Sequence, residues 1–235
     1  MGTTLPKLSG PLLSECLVQV VDDDESIRRS LSRLFRSAHL LAEVYDSAQA
    51  FLEQAKPHAG PQCLVLDVQL PGTDGLDLQR TIAKRGIQII FLTAYGDIPK
   101  CAEALKAGAV DFLTKPVDDI TLLEAVSRAL HRSAELRSAK AQKASMEARF
   151  NLLTPREFEV MQGIIAGLLN KQIGAELGVA EKTVKIHRGR VMKKTGVASV
   201  ADLVRLAQAT GVRPSLSPTF DGSSQPLLSH HDALV

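Results

Sequence analysis

Five short apolar runs of β type alternate with amphipathic runs over the first 132 residues, and this alternation constrains the fold most strongly. The run IQIIFL is almost wholly apolar, which is typical of a strand buried on both faces of a sheet. The five runs lie at residues 17–21, 40–45, 63–68, 87–92 and 109–113. Helical patterns fall between them, so the sequence predicts an α/β, doubly wound sheet of five parallel strands over residues 15–132.

The second half of the chain carries only helical signals. Residues 133–149 are rich in Ala, Lys, Arg and Glu, and predict a helical linker. Residues 150–212 predict a smaller all-α domain of four helices, and Thr154-Pro155-Arg156-Glu157 has the form of a helix N-terminus. We expect residues 1–14 to be a flexible N-terminus and residues 213–235, rich in Ser and Pro, to be a disordered tail.

Charge divides the chain in the same way. Residues 1–134 hold 14 Lys and Arg against 17 Asp and Glu, whereas residues 135–213 hold 14 against 7. The basic half is therefore a candidate for binding a polyanion, although a solvated basic surface would have the same composition.

Composition also bears on where the protein acts. No apolar run approaches the roughly 18 residues of a membrane span, so no membrane partner is expected. The three cysteines, Cys16, Cys63 and Cys101, lack metal-ligand spacing and are interpreted as reduced thiols. Without a clear signal peptide, these features predict a cytoplasmic protein.

Polar side chains follow four of the five predicted strands. Asp22 and Asp23 follow the first strand, Asp67 lies at the end of the third, Thr93 follows the fourth and Lys115 follows the fifth. Because parallel strands end at the same edge of a sheet, we expect these groups to share one pocket. Carboxylates so close together repel unless a cation intervenes, and an all-oxygen set favours Mg²⁺. Such a carboxylate can be the nucleophile in phosphoryl transfer; alternatively, the acidic run merely caps a helix.

The segments VVDDDES, LVLDVQLPGTDGL, FLTAYGD and DFLTKPVD resemble the receiver domain of two-component response regulators. The resemblance covers residues 15–132 and implies a flavodoxin-like fold. It also implies that Asp67 is the phosphoacceptor and forms 4-aspartylphosphate. The further residues that it implies are the Mg²⁺ ligands Asp22, Asp23, Asp67 and the backbone carbonyl of Gln69, the phosphoryl-sensing pair Thr93 and Lys115, and the switch aromatic Phe112.

Residues from about Gln172 to Val191 form a helix-turn-helix pattern, with a turn at Gly178 and a second helix over 181–195. At 100° per residue, Val184, Val191 and Thr195 face inward. The outward face holds Lys182, Lys185, Ile186, Gly189, Arg190 and Lys193. Four of these six are basic and none is acidic, which suits the major groove of DNA. A solvated surface helix is the alternative, but it would not require the preceding helix and turn.

The stretch from LTPREFEVMQGIIAG to ADLVRLA resembles the LuxR-type four-helix DNA-binding domain. The resemblance implies that Lys182 and Thr183 contact phosphates, and that Lys185 and Ile186 point at base edges. Relatives often carry a longer side chain at the position of Gly189. The full set of implied DNA-binding residues is Lys182, Thr183, Lys185, Ile186, Arg188, Arg190, Lys193 and Lys194.

Together the two resemblances predict a FixJ/NarL-type transcriptional regulator that is not an enzyme. Its implied partners are a sensor histidine kinase, double-stranded promoter DNA, a second copy of the chain when phosphorylated, and RNA polymerase as a further candidate. Two rival functions stay open on the sequence alone. One is a Mg²⁺-dependent phosphatase built on the same carboxylates. The other is a constitutive DNA binder whose receiver is only a dimerisation scaffold.

Overall fold

The computed structural model of the chain describes residues 15–94 and 98–214. The predicted flexible N-terminus at 1–14 and residues 215–235 of the predicted tail lie outside the described residues, as do residues 95–97 of the segment FLTAYGD. The chain forms two compact units, and the boundary between them falls between Lys140 and Ala141.

The first unit contains the predicted sheet of five parallel strands. The strands are β1 Leu17–Val21, β2 Leu41–Tyr45, β3 Gln62–Leu66, β4 Gln88–Thr93 and β5 Asp111–Thr114. Their order is β2-β1-β3-β4-β5, the doubly wound order of flavodoxin-like folds. β3 ends at Leu66 rather than at residue 68, because the chain leaves the sheet at Asp67 and soon forms a short hairpin, Gln69–Leu70 with Thr73–Asp74.

Helices cover both faces of the sheet. They are α1 Glu25–Ser37, α2 Ala48–Gln54, α3 Gly75–Ile82, α4 Ile98–Lys106 and α5 Asp119–Asn151. One buried layer packs β1 side chains such as Val18 against Leu31 of α1 and Val126 of α5. The other packs Leu66 and Phe91 against α2, α3 and α4. Both layers are mainly aliphatic, and burial on both faces explains why residues 89–92 of β4 are all apolar.

Helix α5 continues through residues 133–149, the segment assigned to a helical linker. Ser133 is buried, and its Oγ accepts a hydrogen bond of 3.0 Å from the Gln62 backbone N–H in the first unit. Met146 and Phe150, in contrast, pack in the core of the second unit. Ala, Lys and Glu are strong helix formers, so their pattern does not show where the preceding helix ends.

The second unit has the predicted four helices after α5: α6 Pro155–Ile165, α7 Asn170–Leu177, α8 Glu181–Thr195 and α9 Val200–Thr210. Thr154 caps α6 through the Glu157 backbone N–H, and the Glu157 carboxylate accepts from the Thr154 N–H in return. Gly178 has φ 66°, which allows the tight turn between α7 and α8. Val160, Ile173 and Val184 are fully buried, so α6, α7 and α8 share one core.

Candidate functional site

Backbone hydrogen bonds bring the acidic residues to one edge of the sheet. The Asp67 N–H donates to the Val21 carbonyl at 2.9 Å, and the Asp22 N–H donates to the Tyr45 carbonyl at 3.2 Å. The ends of β1 and β3 therefore place Asp22 and Asp67 side by side. Asp24 caps α1 by accepting from the Ser26 N–H at 2.7 Å, so helix capping accounts for part of the acidic run, while Asp22 and Asp67 belong to the pocket.

Lys115 joins the two carboxylates. Its Nζ donates to Asp22 Oδ2 and to Asp67 Oδ2, in both cases at 2.6 Å. The side chain of Lys115 is 16% exposed, while those of Asp22 and Asp67 are 3% and 9% exposed. The structure thus confirms that these three side chains converge at the carboxyl edge of the sheet, as the strand pattern predicts.

Burial and hydrogen bonding act in opposite directions on the charges of this pocket. Burial raises the pKa of Asp22, and the hydrogen bonds from Lys115 and from the Asp24 N–H only partly offset it. For Lys115, burial alone would lower the pKa, but hydrogen bonds to Asp22 and Asp67 outweigh it and raise the pKa. The ammonium therefore remains charged and holds together two carboxylates that would otherwise repel.

The pocket offers a donor set that fits Mg²⁺. Carboxylate oxygens of Asp22, Asp23 and Asp67 all lie within 4.8 Å of one another, and Asp23 is exposed. Hard oxygen donors that leave room for water are the ligands this cation prefers. The Gln69 backbone N–H donates to Asp67 Oδ1 at 3.0 Å, so the chain after Asp67 folds back over the carboxylate. The role of the Gln69 carbonyl as a fourth ligand stays a prediction.

Thr93 and Phe112 lie on the strands beside the pocket. Thr93 ends β4 and is 1% exposed, and its carbonyl accepts from the Lys115 backbone N–H at 2.7 Å. Phe112 is partly buried in β5, with its ring centroid 5.9 Å from that of Phe91. The chain thus couples Thr93 to Lys115 directly, while the predicted sensing and switching roles stay predictions.

Gly75 supports the pocket in a way that sequence reasoning missed. A Cβ at this position would lie 2.4 Å from the Asp67 carbonyl oxygen, and the Gly75 N–H donates to the Val68 carbonyl at 2.8 Å. A side chain here would displace the backbone of Asp67 itself. Nothing near Gly75 in the sequence indicates its close approach to the Asp67 backbone, because that contact forms only when the chain folds.

A second candidate surface lies on α8. Val184, Val191 and Thr195 are buried, whereas the six residues predicted to face outward are all exposed: Lys182, Lys185, Ile186, Gly189, Arg190 and Lys193. Ile186 is 50% exposed among these cations. The structure confirms the predicted faces of the helix, although it does not test the predicted DNA contacts.

The other residues assigned to DNA binding are bonded within the unit or lie at the edge of the face. Thr183 is half-buried, and Arg188 Nη1 donates to Asn170 Oδ1 at 3.3 Å. Lys194 Nζ donates to Glu157 Oε2 at 2.6 Å. The Lys194 hydrogen bond, together with that from the Thr154 N–H, lowers the pKa of Glu157 to about 2. Lys194 thus has a structural partner that Lys193 lacks among the described residues.

Comparisons with known proteins agree with both surfaces. Residues 18–127 match the family model of the response regulator receiver domain, and residues 151–207 match that of the bacterial regulatory proteins of the luxR family. Nodulation protein W of Bradyrhizobium diazoefficiens is 48% identical over 201 residues, covering 85% of this chain and 88% of that protein. The chain belongs to the response regulators with a LuxR-family DNA-binding domain.

Other relatives support the same family. Transcriptional regulatory protein FixJ of Azorhizobium caulinodans is 40% identical, covering 84% of this chain and 94% of that protein. The solved structure of the response regulator StyR is similar with a TM-score of 0.73 and 46% identity, covering 83% of this chain and 98% of that one. Full-length FixJ from B. japonicum gives a TM-score of 0.50 at 38% identity, covering 83% and 97%.

Family membership decides between two of the sequence-based interpretations. This response regulator is a phosphorylation-controlled transcriptional regulator rather than an enzyme, so the phosphatase alternative is set aside. Membership of this family also implies a histidine kinase partner, DNA binding and Mg²⁺ at the acidic pocket. Among the described residues, no helix has the length and apolar character needed to cross a bilayer.

Proposed function

We propose that Asp67 receives a phosphoryl group from the phosphohistidine of a sensor kinase, and that this modification promotes dimerisation and promoter binding. The observation that carries the proposal is the double contact of Lys115 with Asp22 and Asp67 at 2.6 Å. It gives the pocket a nucleophilic carboxylate, a second carboxylate and a cation that can follow the charge of a phosphoryl group.

The transfer itself requires little covalent chemistry from the chain. A carboxylate oxygen of Asp67 attacks phosphorus in line, an O–P bond forms as the N–P bond breaks, and the electron pair returns to the histidine nitrogen. Asp22, Asp23, Asp67 and the Gln69 carbonyl would hold Mg²⁺ here. When bound, the cation neutralises charge on the phosphoryl oxygens.

The response to phosphorylation follows from the present contacts of Lys115. Its ammonium leaves the free carboxylates and contacts the phosphoryl oxygens, and the Thr93 hydroxyl donates a hydrogen bond to one of the same oxygens. Phe112 then packs inward beside Phe91. This is a two-state switch that a local charge biases.

The altered face of α4, β5 and α5 then pairs with the same face of a second copy. A dimer presents two LuxR-family units to adjacent half-sites, so the second contact gains from linkage to the first. The exposed face of α8 enters the major groove, where Lys182 and Thr183 contact phosphates and Lys185 and Ile186 contact base edges. The bound regulator would act on RNA polymerase at the promoter.

Intact mass measurement after treatment with acetyl phosphate and Mg²⁺ tests the proposal. The wild-type chain should gain one phosphoryl group, and Asp67→Ala should gain none. Asp77→Asn is the matched control, because Asp77 is an exposed carboxylate on α3 that pairs with Arg80 outside the pocket. An adduct on Asp67→Ala, or none on the wild type, would contradict the proposal.

The same treatment distinguishes the switch from the constitutive DNA binder. The affinity of the wild type for promoter DNA should rise with the phosphodonor, whereas that of Asp67→Asn should not change. If wild type and Asp67→Asn bind alike under both conditions, the receiver is only a scaffold.

A further inference from the structure

Gly189 occupies the middle of the exposed face of α8, where the fold does not require a glycine. It is an interior residue of the helix, and glycine is less favourable than alanine at such a position. It is absent from the residues with positive φ, so its backbone conformation is open to any L-residue. The local backbone conformation therefore gives no reason for a glycine at this position.

Packing does not require it either, in contrast to two other helical glycines of the same unit. A Cβ at Gly163 would lie 2.7 Å from Ile173 Cγ1, and a Cβ at Gly174 would lie 2.7 Å from the Val179 carbonyl oxygen. At Gly189, apart from its own turn of helix backbone and its chain neighbours, no atom of residues 15–94 or 98–214 lies within 4 Å of the Cβ position. Packing within the unit therefore explains why Gly163 and Gly174 are glycines. It does not explain Gly189, whose lack of a side chain points to contact with another molecule.

The side chains around Gly189 indicate the chemistry of that other molecule. Residues three and four positions apart share a face of a helix, which places Lys185, Ile186 and Lys193 next to Gly189. The cations are exposed, and Ile186 leaves half of its surface in water. The missing side chain at 189 and the apolar side chain at 186 thus form a shallow notch with apolar character, bordered by positive charge.

We infer that the backbone at Gly189 touches DNA, and that the Ile186–Gly189 notch accepts the 5-methyl group of a thymine in the major groove. This rests on the proposed DNA binding by α8. The thymine methyl is the apolar group among the base edges of that groove, and apolar side chains recognise it. A Cβ at position 189 would occupy the place of the methyl group, so the absence of a side chain contributes to specificity.

The test uses the full-length chain with Mg²⁺ and acetyl phosphate, and a double-stranded site that the wild type selects from a random library. Gly189→Ala should raise the melting temperature by about 4 °C, because alanine favours the helix. The same change should weaken binding to the selected site about tenfold, because the added methyl overfills the contact. Circular dichroism and fluorescence anisotropy measure the two effects.

Changing the DNA tests the notch independently. Replacing each thymine in turn by uracil removes one methyl group, and one position should weaken wild-type binding about fourfold, the value of one buried methyl. The same replacement should have no effect on Ile186→Ala. Gln208→Ala, on an exposed position of α9, is the control and should bind DNA as the wild type does.

The outcomes separate this inference from the function on which it rests. If the wild type selects no DNA, the proposed function fails and the inference with it. If the wild type selects a site but Gly189→Ala binds it equally well, or no thymine responds to uracil, only the inference fails. A lower melting temperature for Gly189→Ala would also overturn it, because the fold would then need the glycine.

Discussion

The two units of this chain use their cations in opposite ways. In the first, Lys115 is 16% exposed and contacts two buried carboxylates. In the second, Lys182, Lys185, Arg190 and Lys193 are exposed, and within the described residues no ion pair joins them to an acidic side chain. A buried cation that already contacts carboxylates changes its contacts only when the charge within its own pocket changes. An exposed and unpaired set attracts a polyanion from outside.

The difference also separates stability from function. Removing one side chain of a buried ion pair leaves the opposite charge desolvated and uncompensated, so the folded state is destabilised. Exposed cations remain hydrated, and their loss changes stability little. We therefore expect substitutions in the pocket to affect folding and signalling together, while substitutions of the exposed cations on α8 affect DNA binding alone.

Lys115→Met should produce the largest change in stability. Without Mg²⁺ it leaves Asp22 and Asp67 facing each other, and the free energy of unfolding should fall by about 3 kcal/mol. Urea denaturation followed by circular dichroism measures this. Arg29→Met is the control, because Arg29 and Glu25 form an exposed pair on α1 and the loss should stay within about 0.5 kcal/mol. Equal losses of unfolding free energy in the two variants would contradict the distinction between the buried cation and the exposed ones.

Within the α8 face, Lys185→Ala and Lys193→Ala should separate base reading from phosphate contact. Lys185→Ala should reduce the preference for the selected site over random DNA about tenfold. Lys193→Ala should weaken binding to both alike, and should reduce the slope of log affinity against log salt by about one. Anisotropy titrations at several salt concentrations distinguish these outcomes. Identical losses from both variants would contradict the groove assignment.

The parts of the site that the sequence predicts depend on regular geometry. Parallel strands end at one edge, so the positions of Asp22, Asp67 and Lys115 after three strands suffice to bring them together. Helical periodicity alone separates the buried Val184 from the exposed Lys185. Both predictions need only the secondary structure and the handedness of its elements.

The parts that the sequence does not predict depend on tertiary contacts. Gly75 looks like any first residue of a helix until the Asp67 carbonyl packs against it. The sequence predicts that residues 133–149 are helical, but their helix propensity does not show that they continue α5 instead of forming a separate helix. Lys193 and Lys194 are identical neighbours in sequence, and only the packing of α8 on α6 gives Lys194 a partner.

Lys193 and Lys194 also test the distinction between exposed and paired cations, with the smallest expected change in stability. The Lys194 hydrogen bond lowers the pKa of Glu157 from 4.5 to about 2. A carboxyl group whose folded pKa is lowered stabilises the fold above its unfolded pKa, and this contribution is lost as the pH falls toward its folded pKa. The stability that Glu157 provides should therefore be complete at about pH 6 and should decline between about pH 4.5 and pH 2.

Glu157→Gln and Lys194→Ala should both lower the urea midpoint at about pH 6, because each breaks the pair between α6 and α8. The difference from wild type should shrink at about pH 3, because the Glu157 carboxyl of the unfolded wild-type chain is then protonated and the wild type has lost part of this stabilisation. Lys193→Ala should follow the wild type at every pH, because Lys193 has no acidic partner among the described residues. A Lys193→Ala variant that lost as much stability as Lys194→Ala would show that exposure does not distinguish a structural cation from one that is free to bind DNA.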